Sequence, residues 1–240
     1  GLPSGQNTKH HVETGEKSMN GIVRDRYADW KNRFDLSPNV LLEKGIAVED
    51  FVHGLDIVIH TCREAWLAGI MIGFNGNMSM RLGEDLLLVT GTTVPKGHLT
   101  DNDVALICVD GTRIAGPAIP SETAMHTDVY KAVPDARFIL HTHPTHLLAL
   151  SVAVGPEEML SMPLFESRMW KDKLAFADAC APGSRELARS VGEAAVKGQA
   201  VFMKEHGLCV YGKTAGEVLA VSEEMDHLAA MQLLAAGCRR

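Results

Sequence analysis

The stretch RFILHTHPTH, residues 137–146, places three histidines within six positions directly after an apolar run. Side chains two positions apart on a β-strand point to the same face of the sheet. We therefore expect a strand that directs His141 and His143 together and ends before Pro144, whose ring cannot donate to the strand ladder. Two neighbouring imidazoles can share a metal ion. Because the chain has 11 histidines, such a pair also arises by chance, and the metal interpretation needs further ligands.

Two more residues are candidates for this metal site. His206 lies in KEHGLCV, where Gly207 allows a close approach of the backbone. Three imidazoles that leave one or two positions open are typical of a catalytic site for zinc, manganese or a similar divalent ion. Glu122 lies nineteen residues before His141 at the start of a predicted helix, where its carboxylate could be a fourth ligand or a general base.

Two other histidines lie near these candidates in the sequence. His126 follows Glu122 by one helical turn, and we expect it to orient Glu122 or to pack against neighbouring residues rather than to bind metal. His146 follows the predicted strand, and we expect it either to support the site or to face the substrate.

Helices are predicted from apolar spacing and from capping residues. Apolar residues from Phe51 to Ala65 recur every three or four positions, which predicts a helix that Gly69 ends. SETAMHTDVYKAV, residues 121–133, predicts a helix with Ser121 as its N-cap. Further helices are predicted for SRELARSVGEAAV, residues 184–196, and for a last segment with capping-box spacing at Thr214 and Glu217.

Short segments of β character alternate with these helices and are bounded by Gly, Asp and Asn turn residues. They are GNMSMRL (76–82), DLLLVT (85–90), VALICVD (104–110) and AVFMKEHGLCVYG (200–212). The pattern predicts a single α/β domain over residues 41–240, with a central sheet flanked by helices. The first twenty residues contain few large apolar side chains, and we assign residues 1–40 to a partly flexible N-terminal arm.

The composition limits the possible partners. A net charge of −7 argues against nucleic acid and anionic membranes, which require a basic surface, and it favours a small-molecule substrate. The five cysteines are odd in number and lack a C-x-x-C pair, which fits reduced thiols. Neither a membrane span nor the apolar centre of a signal peptide is found. We therefore expect a cytoplasmic protein.

Four ordered blocks resemble one known family, the class II aldolases and adducin heads. The blocks are NGNMSMRL, LLLVTGTTVPKG, IPSETAMHTDVYKAVPDARFILHTHPTHLLALS and VFMKEHGLCVYGKTAGEVLAVSEEMDHLA, and they extend over roughly residues 50 to 235. The family includes fuculose-phosphate and rhamnulose-phosphate aldolases and ribulose-phosphate 4-epimerase.

This resemblance implies a fold, a cofactor and residue roles. His141, His143 and His206 match the family's metal ligands, and Glu122 matches its acidic ligand and proton-transfer residue. The implied fold is a mixed, mostly antiparallel sheet flanked by helices. The implied assembly is a homotetramer with sites at subunit interfaces and one divalent ion per subunit, zinc or manganese being expected.

The chain departs from the phosphosugar pattern of this family at two places. Family members that bind phosphate typically have Pro-Ser-Ser before the acidic residue, whereas this chain has Ile119, Pro120 and Ser121. A tyrosine that protonates the departing aldehyde in the aldolases should fall near Ala179, and none is present there. The remaining candidates for binding substrate or an anion are Asn77, Thr90, Gly91 and Ser121.

These departures favour decarboxylation of a hydroxy-aromatic, hydroxypyridine or keto carboxylate through a metal-stabilised enolate, because decarboxylation needs no acid for a departing alkoxide. A sugar-phosphate aldolase of the fuculose-phosphate type or a ribulose-phosphate 4-epimerase is the alternative. A non-catalytic scaffold domain like the adducin heads is a third possibility. Candidate cations for a second substrate carboxylate are Arg81, Lys96, Arg168 and Lys171.

Overall fold

A computed structural model describes residues 12–37 and 39–237 of the chain. Residues 1–11 of the predicted arm and Cys238 lie outside the described residues. Among the described helices, none has both the length and the apolar character that crossing a bilayer requires.

One eight-stranded sheet organises the described residues, with the strand order β4-β3-β2-β1-β5-β8-β7-β6. Neighbouring strands pair antiparallel except β6 and β7, which are parallel. This confirms the predicted single-domain α/β fold with a mostly antiparallel sheet. The strands are β1 Asn77–Leu82, β2 Leu86–Thr90, β3 Val104–Cys108, β4 Arg113–Ala115, β5 Phe138–Thr142, β6 Leu174–Ala177, β7 Ala200–Met203 and β8 Gly207–Gly212.

Helices cover both faces of this sheet. Along β2, Leu86 and Leu88 belong to one hydrophobic cluster and Leu87 and Val89 to a second, which is the alternation expected of a strand buried on both sides. Helices α1, α3, α5 and α8 contribute to the first cluster, and α4 and α7 to the second. The helices are α1 Val12–Arg33, α2 Val40–Glu43, α3 Val48–Leu67, α4 Thr123–Ala132, α5 Thr145–Ala153, α6 Phe165–Lys171, α7 Arg185–Ala195 and α8 Ala215–Gly237.

Helix α1 lies within the predicted arm and packs against α3. Trp30 is 1% exposed, and its ring centroid lies 4.9 Å from that of Phe51. Arg26 forms ion pairs of 2.7 Å with both Asp56 and Asp101. The C-terminal part of the arm is therefore attached to the sheet domain by apolar packing and by charge.

Two local predictions were wrong. AVFMKEHGLCVYG forms the hairpin β7–β8 rather than one strand, because Lys204, Glu205 and His206 form a tight turn in which Glu205 has a φ of 63°. Ser121 does not cap α4, whose first helical residue is Thr123 and whose N-cap position is Glu122, without a side-chain cap bond.

Candidate metal centre

The sheet brings the three predicted ligands together at one end of its central strands. His141 is the fourth residue of β5 and is fully buried, and His143 follows the end of that strand. Strand β8 pairs with β5, with Cys209 opposite His141, so the β7–β8 turn places His206 beside them. The ring centroids are 4.8, 5.0 and 5.2 Å apart, and the potential ligand atoms lie within 4.8 Å of one another.

Glu122 joins this cluster from the start of α4. Its Oε1 lies 2.8 Å from Nε2 of His206, and its Oε2 lies 3.3 Å from Nε2 of His141. Burial by itself would raise the pKa of Glu122, but hydrogen bonds with His141 and His206 hold it well below its usual range. Glu122 is therefore a carboxylate at neutral pH.

The donor set fits a divalent cation. The Nδ1–H of His141 donates to the carbonyl oxygen of Leu208 at 2.9 Å, which leaves Nε2 as the nitrogen with the free lone pair. That Nε2 lies 3.1 Å from Nε2 of His143 and 3.3 Å from the Glu122 carboxylate. Lone pairs at these distances repel one another unless a cation or a proton lies between them. Three imidazoles and a carboxylate are ligands that zinc and manganese accept.

The protonation of His143 also suits metal binding. Burial, followed by the nearby His141 and His206, lowers the pKa of His143 to about 3. Its imidazole is therefore neutral at physiological pH, which is the form that binds a metal. The buried Nδ1 of His206 has no hydrogen-bond partner among the described residues, whereas its Nε2 faces the Glu122 carboxylate at 2.8 Å.

The cluster lies at the wall of a cavity of about 310 Å³. The cavity is lined by three residues predicted to bind substrate, Asn77, Gly91 and Ser121. Glu122, His143 and His206 also line it. Five further lining residues were not predicted from the sequence: Phe74, Asn75, Thr92, Thr93 and Pro182. Thr92 and Thr93 lie in the TGTTVPKG segment, which could have pointed to them.

Most hydrogen-bonding groups around Thr90 and Gly91, two predicted anion-binding residues, already have partners within the protein. The N–H of Gly91 donates to the backbone carbonyl oxygen of Asp103 at 2.6 Å, and that of Thr92 donates to the backbone carbonyl oxygen of Ala118 at 2.9 Å. The hydroxyl of Thr90 accepts a bond of 3.1 Å from the N–H of Met78. An anion bound in this cavity would therefore depend mainly on side chains.

Comparison with known proteins agrees with this geometry. Residues 56–233 match the family model described as Class II Aldolase and Adducin N-terminal domain. The chain belongs to this family. The 3-oxo-tetronate 4-phosphate decarboxylase of Haemophilus influenzae is 26% identical over 178 residues, which are 72% of this chain and 84% of that protein. The L-fuculose phosphate aldolase of Methanococcus maripaludis is 28% identical over 176 residues, 73% of this chain and 94% of that protein.

Solved structures of the class II aldolase family share the fold. The crystal structure of L-fuculose-1-phosphate aldolase from Thermus thermophilus superposes with a TM-score of 0.68 at 21% identity, covering 78% of this chain and 95% of that one. Class II aldolases depend on a divalent metal, and the three histidines form a site that can hold one. Both curated relatives cleave carbon–carbon bonds, which supports a carbon–carbon lyase acting on a small molecule.

The four predicted cations of this class II aldolase-like domain have different surroundings. Lys96 lines the cavity beside the metal cluster, is only 2% exposed, and donates from Nζ to the Val94 carbonyl at 2.9 Å. Burial lowers its pKa. The other three lie in other contacts: Arg81 donates to Ala136 and Glu84 carbonyls, Arg168 stacks on Phe165, and Lys171 donates to the Glu157 carbonyl.

His146 does not join the metal cluster. Its Nδ1 bonds Asp226 at 2.7 Å, and its backbone N–H donates to the same carboxylate at 2.8 Å. His146 therefore ties the start of α5 to α8. His126 is buried beneath Glu122 and bonds Asn77 and Ser79.

Proposed function

We propose that this chain is a divalent-metal-dependent decarboxylase that acts on a hydroxy-aromatic, hydroxypyridine or keto carboxylate. The observation that carries the proposal is the convergence of His141, His143, His206 and Glu122 at a cavity whose wall also contains the buried Lys96. Such a site can hold an ion and a substrate anion at the same time.

The positions of the tyrosines favour decarboxylation over aldol cleavage. Aldol cleavage must protonate a departing alkoxide, whereas carbon dioxide leaves without a proton. The chain has three tyrosines. Tyr27 packs on Phe51, Tyr130 bonds Ser79 in the core, and Tyr211 donates to the Ala195 carbonyl. Within one chain, none of them is a lining residue of the cavity. The decarboxylase activity of the Haemophilus influenzae relative adds support.

The residues of this chain have distinct roles in the proposed reaction. A divalent ion, zinc or manganese, would be held by the three histidines, would act as a Lewis acid on a substrate oxygen, and would stabilise the negative charge that develops there. Glu122, which is ionised before the reaction, takes a proton from the substrate hydroxyl, or from water where the substrate has none, and gives it to the carbon that lost the carboxylate. An oxygen left anionic by this transfer regains a proton from water as the product leaves. Lys96 binds a second anionic group, and Ser121 and Thr92 offer hydroxyls to the same end of the substrate.

An L-fuculose-phosphate-type aldolase is the second candidate, favoured by the Methanococcus maripaludis relative at 28% identity. A ribulose-phosphate 4-epimerase would use the same metal cluster. A scaffold domain like the adducin heads is disfavoured, because assembly does not require three histidines and a carboxylate in contact. We further propose a cytoplasmic homotetramer with its sites at subunit interfaces, on the basis of the family resemblance.

A substrate screen tests this proposal. Metal-loaded protein is incubated with hydroxy-aromatic acids, hydroxypyridine carboxylates, keto acids and ketose phosphates, and the products are detected by mass spectrometry with His143→Ala as the control. Release of carbon dioxide from a carboxylate by the parent alone supports the proposal. Release of dihydroxyacetone phosphate from a ketose phosphate would identify an aldolase instead. Equal turnover by His143→Ala would contradict both.

A further inference from the structure

We infer that His126, acting through Asn77, is a positioning residue that holds the Glu122 carboxylate toward the three histidines. The inference rests on the proposed function in one respect: it takes Glu122 to act at a metal bound by His141, His143 and His206. It assigns to Asn77 a role different from the anion binding that the sequence suggested.

The hydrogen bonds fix the direction of every donor in this contact. The Nδ2 amide of Asn77 donates to Oε2 of Glu122 at 2.8 Å, because an ionised carboxylate can only accept. The other end of the amide, Oδ1, is therefore an acceptor, and the Nε2–H of His126 donates to it at 2.5 Å. Both polar ends of Asn77 are thus occupied, and its amide cannot rotate without losing both bonds.

The ring of His126 is held in turn from its opposite side. Since Nε2 carries the proton in the neutral ring, Nδ1 is an acceptor, and the hydroxyl of Ser79 donates a hydrogen bond of 2.6 Å to it. The Ser79 oxygen also bonds the hydroxyl of Tyr130 at 3.0 Å. Burial, with a further contribution from His141, lowers the pKa of His126 to about 3, so the neutral tautomer is the stable one.

Two regular elements build this network. Glu122, at the N-cap of α4, and His126 and Tyr130 within α4 follow one another at intervals of four residues, so they lie on one face of that helix. Asn77 and Ser79 are two residues apart on β1, so they point to the same face of the sheet. Asn77, Ser79, His126 and Tyr130 are each at least nine-tenths buried, and Asn77 is paired with His141 on the adjacent strand. The network is therefore rigid and lies directly beneath the cluster.

Zn²⁺ affinity tests the inference without any substrate. We would measure the dissociation constant of Zn²⁺ by competition with a chromophoric chelator. Four full-length proteins are compared: the parent, His126→Met, Glu122→Gln and the variant that carries both substitutions. If His126 acts through Glu122, His126→Met weakens Zn²⁺ binding about tenfold in the parent and has little effect in the Glu122→Gln background. His126→Gln restores most of the affinity, because its amide N–H can replace the Nε2–H donor.

A matched control and a second variant protect the experiment from folding effects. His53→Met changes an exposed histidine of α3 and should leave the affinity unchanged. If His126→Met does not fold, Asn77→Ala is compared in the same two backgrounds, with thermal midpoints recorded for each protein. Equal losses in both backgrounds, equal losses in His126→Met and His126→Gln, or no loss at all would overturn the inference. Because the readout is Zn²⁺ binding, failure to find lyase activity would count against the proposed function and not against this network.

Discussion

The backbone of Gly207 packs directly against the ring of His141. A β-carbon at position 207 would lie 3.0 Å from Cε1 of His141, 3.2 Å from Cδ2 of His143 and 2.6 Å from the Thr142 carbonyl oxygen. The spacing of the imidazoles therefore depends on a residue that contributes no side chain of its own. The sequence pattern had suggested this close approach, and the structure confirms it.

Gly207→Ala is expected to weaken divalent-metal binding at least about tenfold, because the methyl group must push both rings or the β5 backbone aside. Metal affinity by chelator competition, together with the thermal midpoint, measures the effect. Gly216→Ala is the matched control, since nothing lies within 4 Å of a β-carbon there. Unchanged metal affinity in Gly207→Ala would show that the rings tolerate displacement.

Lys96→Met is expected to raise KM at least about tenfold for the carboxylate identified by the screen, with one metal ion per chain retained. Lys96 is buried in the wall of the cavity, and its replacement removes a positive charge beside the proposed substrate site. Lys131→Met is the control, because Lys131 is an exposed residue that pairs with Asp128 three positions earlier in α4. Equal KM values in the two variants would assign Lys96 to loop packing alone.

The stability of the metal-free protein should depend on pH through His126. Its pKa is about 3 in the folded chain and 6.5 in the unfolded chain, so between these values the unfolded chain binds the extra proton. The contribution of this buried neutral ring is complete above pH 6.5 and is lost as the pH falls toward 3. Between pH 7 and pH 4.5 the loss is about 2 to 3 kcal/mol.

Urea unfolding of the metal-free parent and of His126→Gln at these two pH values checks this prediction. The variant lacks the titrating ring, so the difference in unfolding free energy between the two proteins should shrink at pH 4.5 by that amount. A difference that is the same at both pH values would mean that His126 is not held neutral.

Trp30→Ala is expected to lower the unfolding free energy by about 3 to 5 kcal/mol, the usual effect of truncating a buried tryptophan. Chemical denaturation measures this change. Ile22→Ala on the same helix is the control, because Ile22 is 58% exposed and its truncation should cost little. A small effect at both positions would place α1 outside the cooperative unit, as expected of a loose arm.

Strand alternation and the family resemblance together pointed to four side chains that the structure brings into one cluster. His141 and His143 are set by strand alternation, and Glu122 and His206 by their places in blocks that resemble the family. The alternating β segments likewise predicted β1, β2, β3 and β5 within a few residues. Strand alternation depends on neighbours in sequence, which periodicity detects, whereas the roles of Glu122 and His206 required the resemblance of whole blocks.

Features that depend on distant contacts were not predictable in the same way. β6 has four residues and is defined by its parallel pairing with β7, and α5 is too uniformly apolar to show a periodic stripe. α4 begins only at Thr123, one residue later than the position that Ser121 could cap, and the Ser121 side chain instead lies against Gly183 of another loop. The N–H of Gly91 is bonded to the carbonyl oxygen of Asp103, twelve residues later in the chain. Its availability to an anion therefore could not be judged from Thr90 and Gly91 alone.

Metal stoichiometry shows whether His141, His143, His206 and Glu122 form a metal centre. Metal-stripped parent and His143→Ala are reloaded with Zn²⁺ or Mn²⁺, separated from free ion by gel filtration and analysed by inductively coupled plasma mass spectrometry, with circular dichroism as the folding control. We expect one ion per chain in the parent and essentially none in a folded His143→Ala. Equal ion content in the two proteins, or none in the parent, would contradict the assignment of this cluster as a metal centre.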